Sequence, residues 1–198
     1  RDAGLFSQLA GPNRVIVCDK TLLPWWIFRI SGRFMPGGKT AWLSPRTAPM
    51  RGWHVQQLRR IAIAHHVPED ALFYCDSDTA FSKSFDLNTL WKGDALRLLC
   101  EPDAAKTALS DHMVWLEHAA RTIGTTSIKD NPNNYVRTFI AWRRDVVLAM
   151  CKRISDVHRT HWMVPVASSR KFSECTLYGT YADAHCDQAL HWHDDRDF

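Results

Sequence analysis

Several features that would assign this sequence to a large class are missing. Its six Cys contain no CxxC pair, and most lie within apolar runs, so they read as reduced, buried thiols and not as a disulfide frame. No apolar stretch approaches the roughly 18 residues needed to span a bilayer, and no signal peptide is visible, so the expected compartment is the cytoplasm, without a transmembrane segment. Dense basic runs are also missing. The 25 Lys and Arg against 21 Asp and Glu give a formal charge of +4. No nucleic-acid partner is expected from so scattered a charge, whereas an anionic small substrate would be welcome. There is no internal repeat, coiled coil or low-complexity linker.

What is present is the composition of one globular domain. A chain of 198 residues, 45% hydrophobic and 23% charged, is long enough for one sizeable core and short for two. The expectation is a single domain over residues 1–198, with a donor and metal half (1–92) and an acceptor half ending in a His-rich tail (93–198). Residues 14 to 18, RVIVC, read as a strand that ends at Asp19. The region from Leu23 to Met50 reads as loop. From Trp53 to His66 the period turns helical, with Val55, Leu58, Ile61 and Ala62 on one face and Trp53, Gln57 and Arg60 on another. Pro68 limits that helix, and the strand LFYC, residues 72 to 75, follows. Residues 94 to 100 fit a strand or a short helix, 111 to 123 a helix, 135 to 142 a strand and 145 to 154 a helix. Strand, helix, strand order predicts an α/β sheet with helices on its faces.

The most informative stretch is LFYCDSDTAF, residues 72 to 81, where an apolar strand ends in Asp76 and Asp78. Carboxylates two apart on a strand point to one side, and at a strand end both reach one divalent ion directly or through water. Mn²⁺ or Mg²⁺ held this way keeps positions open for a diphosphate. A capped turn is the plainer alternative. An EF-hand is excluded, since its sixth and twelfth positions would be Phe81 and Leu87. A dehalogenase-type phosphatase shares the strand and DxD but has Ala80 where Thr or Val is usual. GGKT, residues 37 to 40, fails as a phosphate loop because Arg33 occupies the required Gly position. His185, Cys186, His191 and His193 match no zinc-finger spacing, although a His from the tail folding back would complete a metal set with the Asp pair. Glu174 reads as a general base if it faces a pocket, or as a helix-start acid.

RGWHVQQLRRIA (51 to 62), FYCDSDTAFSKSFD (73 to 86), NYVRTFIAWRRDVV (134 to 147) and FSECTLYGTYA (172 to 182), in that order, resemble a bacterial family of uncharacterised, predicted glycosyltransferases with a GT-A-like fold. The resemblance implies a mostly parallel central sheet flanked by helices, a nucleotide-diphosphate sugar donor and a saccharide or other hydroxyl acceptor. It places Asp78 on the metal and Asp76 beside the ribose or on the metal through water; the tail His expected to join them, apart from the resemblance, is His193. Trp53, Gln57, Arg60 and Asp19 fall on the donor side. Trp142, Arg143 and Tyr178 line the acceptor, with Glu174 as the base. The family's first strand and its base-holding loop have no counterpart upstream of Leu5, so the expectation is a trimmed start or an incomplete donor site. The alternatives are a Mg²⁺-dependent phosphatase of the dehalogenase type, or a non-catalytic domain that binds sugars or a partner through its nine Trp.

Overall fold

The computed structural model describes residues 4, 7, 8, 10–12, 16–18, 20–76, 79, 82–104, 111–125 and 132–196. Asp19 and Asp78 lie outside them, as do residues 14 and 15 of the expected first strand, while residues 16 to 18 are not in a strand. The region read as loop instead holds a hairpin, β1 (Phe28–Ile30) and β2 (Ala41–Leu43). Next come helix α1 (Gly52–Ala62), β3 (Ala71–Tyr74), β4 (Trp91–Lys92), β5 (Ala95–Leu99) and α2 (Asp111–Ile123). The chain continues through β6 (Ile140–Arg143), α3 (Arg144–His158), the single turn α4 (Met163–Val166), α5 (Glu174–His185) and β7 (His191–Asp194).

The fold is α/β. β6 pairs antiparallel with β3, and β5 pairs parallel with β7 and antiparallel with β4. No ladder joins β5 to β6 among the described residues, yet their order is fixed by contacts at both ends. Glu101 and Asn134 form an antiparallel bridge, and the Arg143 guanidinium donates to the Asp94 carbonyl at 2.8 Å. β6 therefore runs opposite to both β3 and β5, so β3, β5 and β7 share one direction with β6 reversed among them. The mostly parallel sheet expected from the resemblance is not what the ladders give: β3–β6 and β4–β5 are antiparallel, and β5–β7 is the one parallel ladder among the described residues.

Strand alternation sorts the side chains of β3 and β6 onto two faces, whereas Leu96 and Leu98, two apart on β5, fall in different clusters. Leu72, Ile140, Trp142 and Leu98 enter the large core with the apolar faces of α1, α3 and α5. Ala71, Phe73, Ala141 and Leu96 turn to a small second cluster with Leu90 and Phe85. The α1 stripe is buried as its period predicts, and the start of the helix is fixed by the Arg51 backbone N–H donating to His54 Nδ1 at 3.2 Å. α5 is enclosed along nine of its residues, Glu174 to Ala182, so its sequence carries no amphipathic period to read. Ser173 caps it, the hydroxyl accepting from the Thr176 N–H at 3.3 Å. A Cβ on Gly179 would stand 2.2 Å from the Tyr135 ring, so this helix docks through a position that must lack a side chain.

Candidate functional site

The ends of β3, β5 and β7 that finish at the same edge of the sheet carry the polar chemistry. Open α/β sheets bind ligands outside such strand ends. Asp76 lies two residues beyond β3, and its side chain is half exposed (51%). From α1, Arg60 reaches this edge with a planar fork. Its Nη2 donates to Asp76 Oδ1 at 2.5 Å and its Nη1 to Glu174 Oε1 at 2.9 Å. Tyr74 donates its hydroxyl proton to the Arg60 carbonyl at 2.7 Å, tying the strand end to the helix end.

Glu174 is the first residue of α5 and its side chain is only 6% exposed. Burial drives its pKa up, and the Arg60 charge opposes the shift without cancelling it. For Arg60, burial works against the charge, but Glu174 and Asp76 outweigh it and the pKa is raised. Gln57, one turn before Arg60, accepts the Glu174 backbone N–H on Oε1 at 3.0 Å. The Gln57 Nε2 is enclosed and has no hydrogen-bond partner among the described residues, which costs stability. Beside this group opens a cleft of about 380 Å³ whose lining includes Leu22, Gln56, Arg59, Arg60, Tyr74 and Cys75.

The residues expected on the acceptor side form something else. Trp142 is 2% exposed and Tyr178 0%, stacked with ring centres 5.0 Å apart, and Tyr74 meets the Trp142 ring edge-on at 4.9 Å. Neither presents a face to a bound molecule, because the aromatic run is central core. Tyr178 accepts the Arg143 backbone N–H at 2.8 Å, so its own proton is directed to His191 Nε2, also at 2.8 Å. His191 is thereby held neutral, with its pKa pushed down to about 4 by burial and by Arg143. The Arg143 side chain is committed to Asp145 and the Asp94 carbonyl. Glu174, expected as a base facing the acceptor, is instead buried against Arg60, where a carboxylate holding a cation is not placed to take a hydroxyl proton.

His193 does not join Asp76. With β6 and β5 between their strands, the two ends are about 14 Å apart at ordinary strand spacing, too far to share an ion. His193 Nε2 lies 2.9 Å from Asp183 Oδ1, a bond that raises the His pKa, and Tyr135 donates to Asp183 Oδ2 at 2.6 Å. Candidate ligand atoms of Cys100, Asp183 and His193 lie within 4.8 Å of one another. Such a set suits a thiophilic ion better than Mg²⁺ or Mn²⁺. Cys100, Asp183 and Tyr135 were not singled out in the sequence, where they lie far apart in ordinary surroundings. On the polar side of α1, Trp53 is half exposed at the outer end, while Gln57 is buried beneath Glu174, so Gln57 and Arg60 meet the site and Trp53 does not.

The site is thus an arginine-bridged pair of carboxylates at the strand-end edge of an α/β sheet. The chain belongs to the family of unknown function DUF6492, which matches residues 3–197. Comparison with curated proteins and with solved structures gives no match. No helix among the described residues is long and apolar enough to cross a membrane.

Proposed function

We propose that this chain is a metal-dependent glycosyltransferase moving a sugar from a nucleotide-diphosphate donor to a hydroxyl acceptor. The observation that carries the reading is the Arg60 fork, bonded to both Asp76 and Glu174 at the mouth of the cleft. Guanidinium groups match phosphate oxygens as well as they match carboxylates. A diphosphate entering the cleft competes for Nη2, whose present partner Asp76 is half exposed, while buried Glu174 keeps Nη1. Arg60 then faces the charge that grows on the departing diphosphate, with Glu174 as its positioning residue and Gln57 positioning Glu174. Arg59 and Gln56 add donors along the cleft wall.

The donor chemistry at Asp76 fits a hard cation. Its carboxylate engages Arg60 through Oδ1, leaving Oδ2 to reach an ion. Asp76 and Asp78 would hold Mn²⁺ or Mg²⁺, which when bound neutralises diphosphate charge.

The test is a thermal-shift panel of nucleoside diphosphates and nucleotide sugars, with and without Mn²⁺, on wild type, Asp78→Ala and Arg60→Gln. A Mn²⁺-dependent rise with one nucleotide family, lost in both variants, supports the reading, since ligands of the native state raise Tm by mass action. Equal shifts in wild type and both variants would overturn it.

A further inference from the structure

We infer that the β1–β2 hairpin and the segment leading into it form a docking surface for an anionic lipid bilayer. This inference does not depend on the transferase reading. Cross-strand partners share a face, so Arg29 and Trp42 lie on one side of the hairpin, and Phe28 with Leu43 and Ile30 with Ala41 on the other. The first side is turned toward α1. The Arg59 guanidinium lies 5.9 Å from the Trp42 ring centre, and a Cβ on Gly52 would stand 3.8 Å from that ring.

The second side therefore points outward. It is wholly apolar, none of its four residues is buried, and none of Phe28, Ile30 and Leu43 joins a hydrophobic cluster among the described residues. Trp25 before the hairpin is 87% exposed and Phe34 in its loop 77%. On this face Phe28 is exposed and Ile30, Ala41 and Leu43 are half-buried; single exposed apolar residues need no explanation, but an apolar sheet face flanked by two exposed aromatics marks a binding surface.

Charge names the occupant. Residues 20 to 68 hold eight of the 25 Lys and Arg and none of the 21 Asp and Glu, so this segment carries +8 and the rest of the chain −4. Lys20, Arg33, Lys39 and Arg46 of this segment stand exposed. Aromatic and aliphatic groups that enter the headgroup boundary, carried on a positively charged segment, are what an anionic bilayer surface attracts. A second copy is disfavoured, because a two-fold contact through this face brings +8 against +8. Single-stranded nucleic acid stacks on ring faces along a groove, whereas Ile30, Ala41 and Leu43 offer aliphatic surface.

The test is co-sedimentation with sucrose-loaded vesicles of phosphatidylcholine alone or phosphatidylcholine mixed with phosphatidylglycerol. Wild type is expected to pellet with the anionic vesicles, less so at raised salt, and to stay in solution with the neutral ones. The double variants Trp25→Ser/Phe34→Ser and Arg33→Gln/Lys39→Gln, all at exposed positions, should each weaken binding about tenfold or more. Wild-type binding by both double variants, or no wild-type binding to anionic vesicles, would overturn the inference. So would a wild-type dimer in sedimentation equilibrium that Trp25→Ser/Phe34→Ser dissolves, or binding of a single-stranded RNA oligomer that the same variant loses in place of vesicle binding.

Discussion

The side-chain carbonyl of Gln57 holds the backbone N–H of Glu174 at 3.0 Å, joining α1 to the first residue of α5 across 117 positions of chain. The same amide leaves Nε2 enclosed and unpartnered among the described residues. Replacing it by Leu removes one satisfied acceptor and one unsatisfied donor together. Gln57→Leu is therefore expected to change stability by only about 1 kcal/mol in urea unfolding, since the two effects oppose. It should nonetheless weaken the Mn²⁺-dependent nucleotide shift, as Glu174 loses its anchor. A loss above about 3 kcal/mol would show that Gln57 acts mainly in packing.

Arg60→Met strands a buried carboxylate. The expected cost at neutral pH is about 2–3 kcal/mol, reduced from the fully buried case because Arg60 is partly exposed. The sign with pH follows from Glu174, whose native pKa is raised by burial and rises further without Arg60. An acid with a raised native pKa loses native stability as pH climbs from its unfolded value toward the native one, so the variant should recover as pH falls toward 4.5. Adding Glu174→Gln should restore most of the loss at neutral pH. Chemical denaturation of the single and double variants at several pH values measures both effects.

His191 gives a slope of the opposite sense. Its native pKa, near 4, lies below the ordinary 6.5, so between those values the unfolded chain binds the extra proton and stability falls as pH falls. His191→Gln should flatten that part of the curve. Buried His118, also shifted down by desolvation, keeps a residual slope in the same direction. A variant curve with the wild-type slope would show that the Tyr178 bond does not hold His191 neutral.

Tyr178→Phe tests whether the aromatic run is core and not ligand surface. It keeps the stack on Trp142 but removes the acceptor of the Arg143 N–H and the donor to His191, for an expected cost of about 1–3 kcal/mol. Nucleotide-induced shifts in Tm should remain as in wild type. A stable variant that loses ligand response would return Tyr178 to the binding surface.

Much of the architecture was legible because it is periodic. The α1 stripe, the short β3 run ending in Asp76 and the helix over 111 to 123 all came from side-chain spacing. The hairpin was hidden by its Pro and Gly content and by strands of three residues, too short for alternation to show. β7 was hidden because its HWHD reads as a polar tail, and it becomes a strand only through parallel pairing with β5. At the site, Arg60, Asp76 and Glu174 were each visible as residue types. That one guanidinium spans both carboxylates depends on where α5 lands on the sheet, which no local pattern records. Trp142, on a strand, and Tyr178, on a helix, misled for the opposite reason, because an aromatic side chain looks alike in sequence whether it faces a sugar or a core.

The missing side chain at Gly179 has a mechanical meaning. α5 carries Glu174 at one end, in the Arg60 group, and Asp183 nearer the other, between Tyr135 and His193. Nine residues of helix separate these two carboxylates by about 13 Å. The Tyr135 ring seated on Gly179 pins the rod between them, so neither end slides along the axis without carrying the other. The two polar groups at the sheet edge thus share one strut, and the spacing between them is set by the length of that helix and by its seat on Tyr135.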